Sequence, residues 1–131
     1  MYGIYYFSGT GNTKALADML NKHLDSVVYS IEDDYDLQDE MVIMYPVHGF
    51  GVPKIVLEFA KSLPDACKKV YIIRNAADYL RVNYYASFKL IEILEQKGYK
   101  VMYDRLVVMP SNFIVDYPDG LKALLYQYLK R

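Results

Sequence analysis

The sequence has a single cysteine, Cys67, which excludes an internal disulfide, an iron–sulfur cluster and any cysteine-built metal site. It also lacks a surplus of charge. The formal net charge is −1, so no overall basic field exists to hold nucleic acid. No apolar run approaches the ~18 residues of a membrane span. No basic stretch followed by an apolar signal region opens the chain; Met1 leads straight into a strand-like segment. These absences predict a cytoplasmic protein that binds neither nucleic acid nor membrane.

What is abundant is apolar and aromatic. Hydrophobic residues make up 53% of the 131 residues, and 15 are tyrosine. That is enough for one domain with a real core, spanning residues 1–131. No internal repeat, low-complexity tract or linker divides it.

Along the chain, strand-like and helix-like segments alternate. Strands are predicted at Gly3–Phe7, Val27–Ile31, Met41–Tyr45, Lys69–Arg74 and within Tyr99–Met109. The first, third and fourth are continuous apolar runs, as parallel strands covered on both faces require. Ala15, Leu16, Met19, Leu20 and Leu24 have helical spacing over Lys14–Leu24. Pro53 can open a second helix with Ile55, Val56, Phe59, Ala60 and Leu63 on one face, stopped by Pro64. Asn83 can cap a third, carrying Tyr84, Tyr85, Phe88, Ile91 and Leu94 on its apolar face and ended by Gly98. Asp119 can cap a last one with Leu121, Leu124, Leu125, Tyr128 and Leu129. The fold class is α/β: a doubly wound, five-stranded parallel sheet of order 2-1-3-4-5 with helices on both faces. Only Glu32 to Glu40 join the second and third strands, short for a helical crossover. One or two helical turns, or an irregular loop, are expected there.

Phe7 to Thr13 read F-S-G-T-G-N-T, directly behind the first strand. Glycine permits backbone angles closed to other residues and lets a ligand approach the main chain. Ser8, Thr10, Asn12 and Thr13 add neutral hydrogen-bonding groups, and the following helix aims its free N–H groups and positive dipole end at the loop. The combination suits a phosphate held without a formal positive charge. A nucleotide-hydrolase loop needs Gly-x-x-x-x-Gly-Lys-Ser/Thr, which fails because Lys14 is followed by Ala15. A dinucleotide fingerprint needs a third glycine where Lys14 stands. The flavin mononucleotide loop, Thr/Ser-x-Thr-Gly-x-Thr, is met at every specified position by Ser8, Thr10, Gly11 and Thr13. A plain hydroxyl-capped turn is the structural alternative.

With these residues the chain resembles the flavodoxins, small electron carriers that bind FMN, over essentially its whole length. F-S-G-T-G-N-T together with Y-P-V-H-G-F-G-V-P resembles more narrowly the flavodoxin half of flavodoxin–ferredoxin fusion proteins of anaerobes. The resemblance implies electron transfer, with FMN as cofactor and a redox protein, a ferredoxin-like module or a reductase, as partner. The fusion proteins continue into a cysteine-rich module, whereas this sequence stops at Leu129-Lys130-Arg131. Both a free-standing short-chain protein and a domain of a longer one remain open.

Ligands of such sheets bind beyond the carboxyl ends of the strands, where the topology switches. Three segments should converge there: Ser8, Gly9, Thr10, Gly11, Asn12 and Thr13; Pro46, Val47, His48, Gly49, Phe50 and Gly51; and Asn75, Ala76, Ala77, Asp78 and Tyr79. A flat tricyclic ring needs aromatic or apolar walls. His48 or Phe50 could cover one face and Tyr79 the other. Gly49 and Gly51 give their loop backbone freedom, and Asp78 would oppose negative charge on a reduced ring.

Other features are weaker. His23 reads as a surface residue near a helix end, and Cys67 as a structural residue. The acidic run Glu32, Asp33, Asp34, Asp36, Asp39 and Glu40 reads as a solvated loop that could steer a basic partner. A receiver domain would need acidic residues at the ends of strands 1 and 3, where Ser8 and Tyr45–Pro46 stand. Two other functions stay open. One is a small NAD(P)H-dependent reductase of quinones or similar acceptors. The other is a nicotinamide-binding or interaction module, with Glu32 and Asp33 placed to receive a ribose hydroxyl.

Overall fold

The computed structural model describes residues 1–9, 11–47, 51–76 and 87–108. Its strands are β1 (Tyr2–Tyr6), β2 (Ser26–Ser30), β3 (Glu40–Pro46), β4 (Lys69–Ala76) and β5 (Lys100–Val108). Its helices are α1 (Asn12–Asn21), α2 (Lys54–Ser62) and α3 (Phe88–Gln96). All strand pairings are parallel and the order is β2-β1-β3-β4-β5, as the sequence predicts. The helix predicted after Asp119, and the Asn83, Tyr84 and Tyr85 positions, lie outside the described residues.

Side chains of successive strand residues point to opposite faces, so each central strand feeds two cores. On one face Tyr2, Ile4, Val42, Met44, Tyr71 and Ile73 pack with Leu16, Ala17 and Leu20 of α1. On the other, Tyr5, Met41, Ile43, Tyr45, Val70 and Ile72 pack with Val56, Phe59 and Ala60 of α2 and Leu90, Ile93 and Leu94 of α3. Burying an aliphatic or aromatic side chain of this size contributes ~1.5–3 kcal/mol. Placing α1 on one face and α2 and α3 on the other is what right-handed crossovers demand. The chain moves outward to β2 in one direction and to β4 and β5 in the other.

Local chemistry sets the helix ends. Leu63, which precedes Pro64, is extended (φ −68°, ψ 144°), and α2 stops at Ser62. Gly98 has φ +97° and closes α3 with two bonds. Its N–H donates to the Glu95 carbonyl, and the Tyr99 N–H reaches back to the Leu94 carbonyl, both at 3.1 Å. That is the Schellman arrangement. A Cβ on Gly98 would also stand 2.9 Å from the Ala66 carbonyl oxygen. The predicted apolar face of α3 needs correction. Phe88 is 61% exposed, while Leu90, Ile93 and Leu94 are buried. Residues two apart lie about 200° around a helix, so a stripe through Leu90 and Leu94 turns Phe88 outward.

Two irregular features shape the sheet. The β2–β3 connection contains no helix; it crosses the α2 side of the sheet as a loop, with Tyr35 and Leu37 packed onto the core there. In β5 the register with β4 slips between Val70/Val101 and Tyr71/Tyr103, leaving Met102 as the extra residue. This bulge re-phases the strand. Tyr103 joins the α1-side core, and Asp104, paired with Ile72, turns to the α2–α3 side. His23 and Cys67 are both exposed, so Cys67 packs nothing in the core. No helix among the described residues is long and apolar enough to cross a membrane.

Candidate functional site

Strand β1 ends at Tyr6, and the Phe7 N–H still bonds the Met44 carbonyl of β3 at 3.0 Å. The chain then turns through Gly9 into α1. Gly11 is the N-cap of α1, with φ +95°, a conformation other residues rarely adopt. Glycine offers no side chain to cap the helix, and Ser8 takes that role from three residues upstream. Its Oγ accepts the Gly11 N–H at 3.0 Å and the Lys14 N–H at 3.3 Å. The N–H groups of Asn12 and Thr13, in the first turn, have no acceptor among the described residues, as helix geometry dictates for a free N-terminus. A Cβ on Gly9 or Gly11 would meet no described residue within 4 Å, so the described residues leave the space at these glycines open.

The side chains divide into those that face this space and those that do not. Lys14 turns away along the helix, its Nζ 2.9 Å from Asp18. Thr13 is buried, and its hydroxyl donates to the Asn75 side-chain oxygen at 2.6 Å. Asn75, at the end of β4, is buried as well. Its backbone carbonyl accepts the Val47 N–H at 2.9 Å, and Pro46 lies opposite it in register. The structure thus brings Ser8, Gly9, Gly11, Asn12, Thr13, Pro46, Val47, Asn75 and Ala76 to the same carboxyl edge, with half-buried Gly51 following the β3 loop. Thr10, His48, Gly49, Phe50, Ala77, Asp78 and Tyr79 lie outside the described residues, so the walls expected for a ring are among them.

Sequence reasoning missed a polar cluster just beneath this edge. Arg74 is buried in β4, and its Nε donates to Asp104 Oδ1 at 2.9 Å. Asp104 also accepts a hydrogen bond from the hydroxyl of Ser87, the N-cap of α3. Tyr45 of β3, fully buried, stands close by; its hydroxyl finds no hydrogen-bond partner among the described residues. Burial pushes the Tyr45 phenol well above its ordinary value of 10; Asp104 adds to the rise, while Arg74 and the nearby Ser87 hydroxyl oppose it. The one signal in the sequence was an arginine inside the apolar run of β4. Elsewhere, a hollow of about 560 Å³ follows the outer flank of α3, lined by Phe88, Ile91, Glu92, Glu95 and Gln96. It lies along a helix side rather than at the strand ends. Among the described residues no group of His, Cys, Asp and Glu could hold a metal ion.

The sequence matches no protein-family model and no curated protein sequence. The fold does match solved structures. Oxidised Flavodoxin 2 from Bacillus cereus superposes with a TM-score of 0.73 at 18% identity, over 98% of this chain and 97% of that one. A flavodoxin from Fusobacterium nucleatum bound to flavin mononucleotide gives 0.69 at 13% identity, over 98% and 94%. A flavoprotein from Lactobacillus acidophilus in complex with FMN gives 0.69 at 15% identity, over 80% and 91%. The architecture is therefore flavodoxin-like.

Proposed function

We propose that this protein binds FMN at the carboxyl edge of its sheet and carries electrons between redox proteins. The observation that carries the reading is the N-terminus of α1. A positive-φ glycine leads into it, Ser8 shapes the turn, and among the described residues the Asn12 and Thr13 N–H groups have no acceptor and nothing fills the space beside Gly9 and Gly11. The donor set fits a phosphate: backbone N–H groups, a helix dipole and a hydroxyl that can still donate its proton. The loop Ser8–Thr13 contains no charged side chain, and Lys14 is paired with Asp18. Structural neighbours described as bound to FMN support the same ligand.

When bound, FMN supplies the electron chemistry. The chain's own residues bind and orient it. Ser8, Gly9, Thr10, Gly11, Asn12 and Thr13 form the phosphate end. Pro46, Val47, His48, Gly49, Phe50 and Gly51, with Asn75, Ala76, Ala77, Asp78 and Tyr79, form the ring end. His48 or Phe50 and Tyr79 are the candidate walls. The redox partner is a ferredoxin-like module or a reductase. The resemblance of Y-P-V-H-G-F-G-V-P to fusion proteins supports the first. The exposed acids Glu32, Asp33, Asp34, Asp36 and Asp39 offer a surface that would steer a basic partner.

The test is the absorbance spectrum of purified protein mixed with FMN and then with NADH. Bound flavin that NADH does not bleach rapidly is the expected result. Rapid bleaching would make the protein a reductase, and absence of flavin binding would overturn the reading.

A further inference from the structure

We propose that Asn75 is a positioning residue. It holds the first turn of α1 in register with the ends of β3 and β4, and this hold gives the site its preference for a phosphorylated flavin. The proposal rests on the FMN reading above. Asn is disfavoured within strands, and a buried amide is costly unless it is bonded. Asn75 is only 5% exposed, and its side-chain oxygen and its backbone carbonyl each accept a hydrogen bond. Its side-chain oxygen accepts the Thr13 hydroxyl at 2.6 Å, across 62 residues of sequence. Its carbonyl accepts the Val47 N–H at 2.9 Å. One residue therefore links the loop after β1, the loop after β3 and the end of β4.

The link falls where apolar packing is weakest as a constraint. Leu16, Ala17 and Leu20 press α1 onto the sheet, but such contacts are non-directional and tolerate sliding along the helix axis. Thr13 is the second residue of α1, in the first turn whose N–H groups have no acceptor among the described residues. Fixing its hydroxyl fixes the height of those donors above the sheet. Hydrogen bonds to a phosphate need that height to within about 0.5 Å. Asn75 and Thr13 are thus read as a latch beneath the cradle, with the Thr13 hydroxyl directed to Asn75.

Fluorescence-quenching titrations with FMN and with riboflavin test this on the wild type, Asn75→Leu, Thr13→Val, Thr13→Ser and the double variant Asn75→Leu/Thr13→Val. Asn75→Leu is close in size and leaves the backbone bond to Val47 in place. It should weaken FMN at least about tenfold and by clearly more than it weakens riboflavin, so that the ratio of FMN to riboflavin affinity falls. Thr13→Val should show the same fall in that ratio, Thr13→Ser should not, and the double variant should be no worse than either single one. Should Asn75→Leu fail to fold, Thr13→Val and Thr13→Ser still decide. An unchanged ratio of FMN to riboflavin affinity in Thr13→Val, or additive losses in the double variant, overturns the latch. A wild-type protein that binds no FMN overturns the proposed function instead, so the two failures are distinct.

Discussion

The ring of Tyr5 covers Gly3. A Cβ added at Gly3 would stand 2.3 Å from the Tyr5 hydroxyl oxygen and 2.6 Å from its Cζ. Both residues face the α2 side of β1, and only the missing side chain lets the ring lie back along the strand. In that position the Tyr5 hydroxyl donates to the Asp36 carbonyl at 2.7 Å and accepts the Gln38 N–H at 2.9 Å. Tyr29 stacks on the ring with centroids 5.4 Å apart, and Tyr35 meets it edge-on at 5.8 Å. The short acidic connection between β2 and β3 needs no helix because this tyrosine satisfies part of its backbone and gives its apolar residues a surface.

Gly3→Ala should therefore destabilise the protein by ~1–3 kcal/mol, the usual cost of overpacking a filled core. Tyr5 cannot swing aside without breaking two hydrogen bonds. Urea unfolding of Gly3→Ala and of Gly3→Ala/Tyr5→Leu measures it. The second change shortens the side chain and should remove much of the penalty specific to Gly3→Ala, judged against Tyr5→Leu alone. A wild-type midpoint for Gly3→Ala would contradict the packing described.

The same burial makes the fold sensitive to alkali. The Tyr5 phenol is pushed up to about 12, first by burial and then by Tyr29, Asp36 and Tyr35, against the bond from Gln38, which favours the phenolate. Tyr2, Tyr45, Tyr71 and Tyr99 are also raised above the ordinary value of 10, each chiefly by burial. A raised folded value means that the unfolded chain releases these protons first. Stability is then level up to about pH 10 and falls as the pH rises from there toward about 12. Urea midpoints should agree between about pH 8 and pH 9 as far as these groups are concerned, then drop. Tyrosinate absorbance should lag in the folded protein and appear with unfolding. A full phenol titration near pH 10 in protein that is still folded would refute this.

Much of the fold was legible because its signals are local. Continuous apolar runs marked β1, β3 and β4. Pro64 and Gly98 marked the ends of α2 and α3 through the backbone angles they impose or require. The phase of α3 was not legible: Phe88, Ile91 and Leu94 make as good a stripe as Leu90, Ile93 and Leu94, and only the packed sheet decides between them. The bulge at Met102 carries no glycine to announce it, yet it turns Asp104 toward Arg74. At the site, Ser8, Gly11 and Thr13 stood out as a motif. That Ser8 caps the helix while Thr13 turns to Asn75 depends on a strand end 62 residues away, which spacing cannot reveal.

Ser8→Ala should remove the acceptor for the Gly11 and Lys14 N–H groups and loosen the first turn of α1. Loss of a capping hydroxyl costs ~0.5–2 kcal/mol, and the expectation here is about 1 kcal/mol. Amide hydrogen exchange at Gly11 and Lys14 should accelerate more than at Leu20, which lies deep in the same helix. Uniform acceleration across α1, or none, would show that Ser8 does not cap it.

Two changes in the cluster beneath the strand ends should act with opposite sign. Arg74 and Asp104 form an ion pair whose side chains are 9% and 23% exposed, and Ser87 adds a second hydrogen bond to the carboxylate. Asp104→Ala leaves the buried guanidinium without its carboxylate and frees Ser87 at the start of α3. Breaking one side of a buried pair costs ~3–5 kcal/mol, and the partial exposure of Asp104 puts the expectation near the lower figure. Tyr45 offers the contrast. Its hydroxyl is buried and makes no hydrogen bond of good geometry among the described residues, with the Ser87 hydroxyl close by, so Tyr45→Phe removes a poorly compensated polar group and keeps the ring. That change should be neutral or stabilising by up to ~1 kcal/mol. Denaturant unfolding of both variants in parallel gives the two signs. A loss above about 1 kcal/mol for Tyr45→Phe would mean that its hydroxyl is bonded, and the Tyr45 site would then have to be counted with the Arg74–Asp104–Ser87 network instead of apart from it.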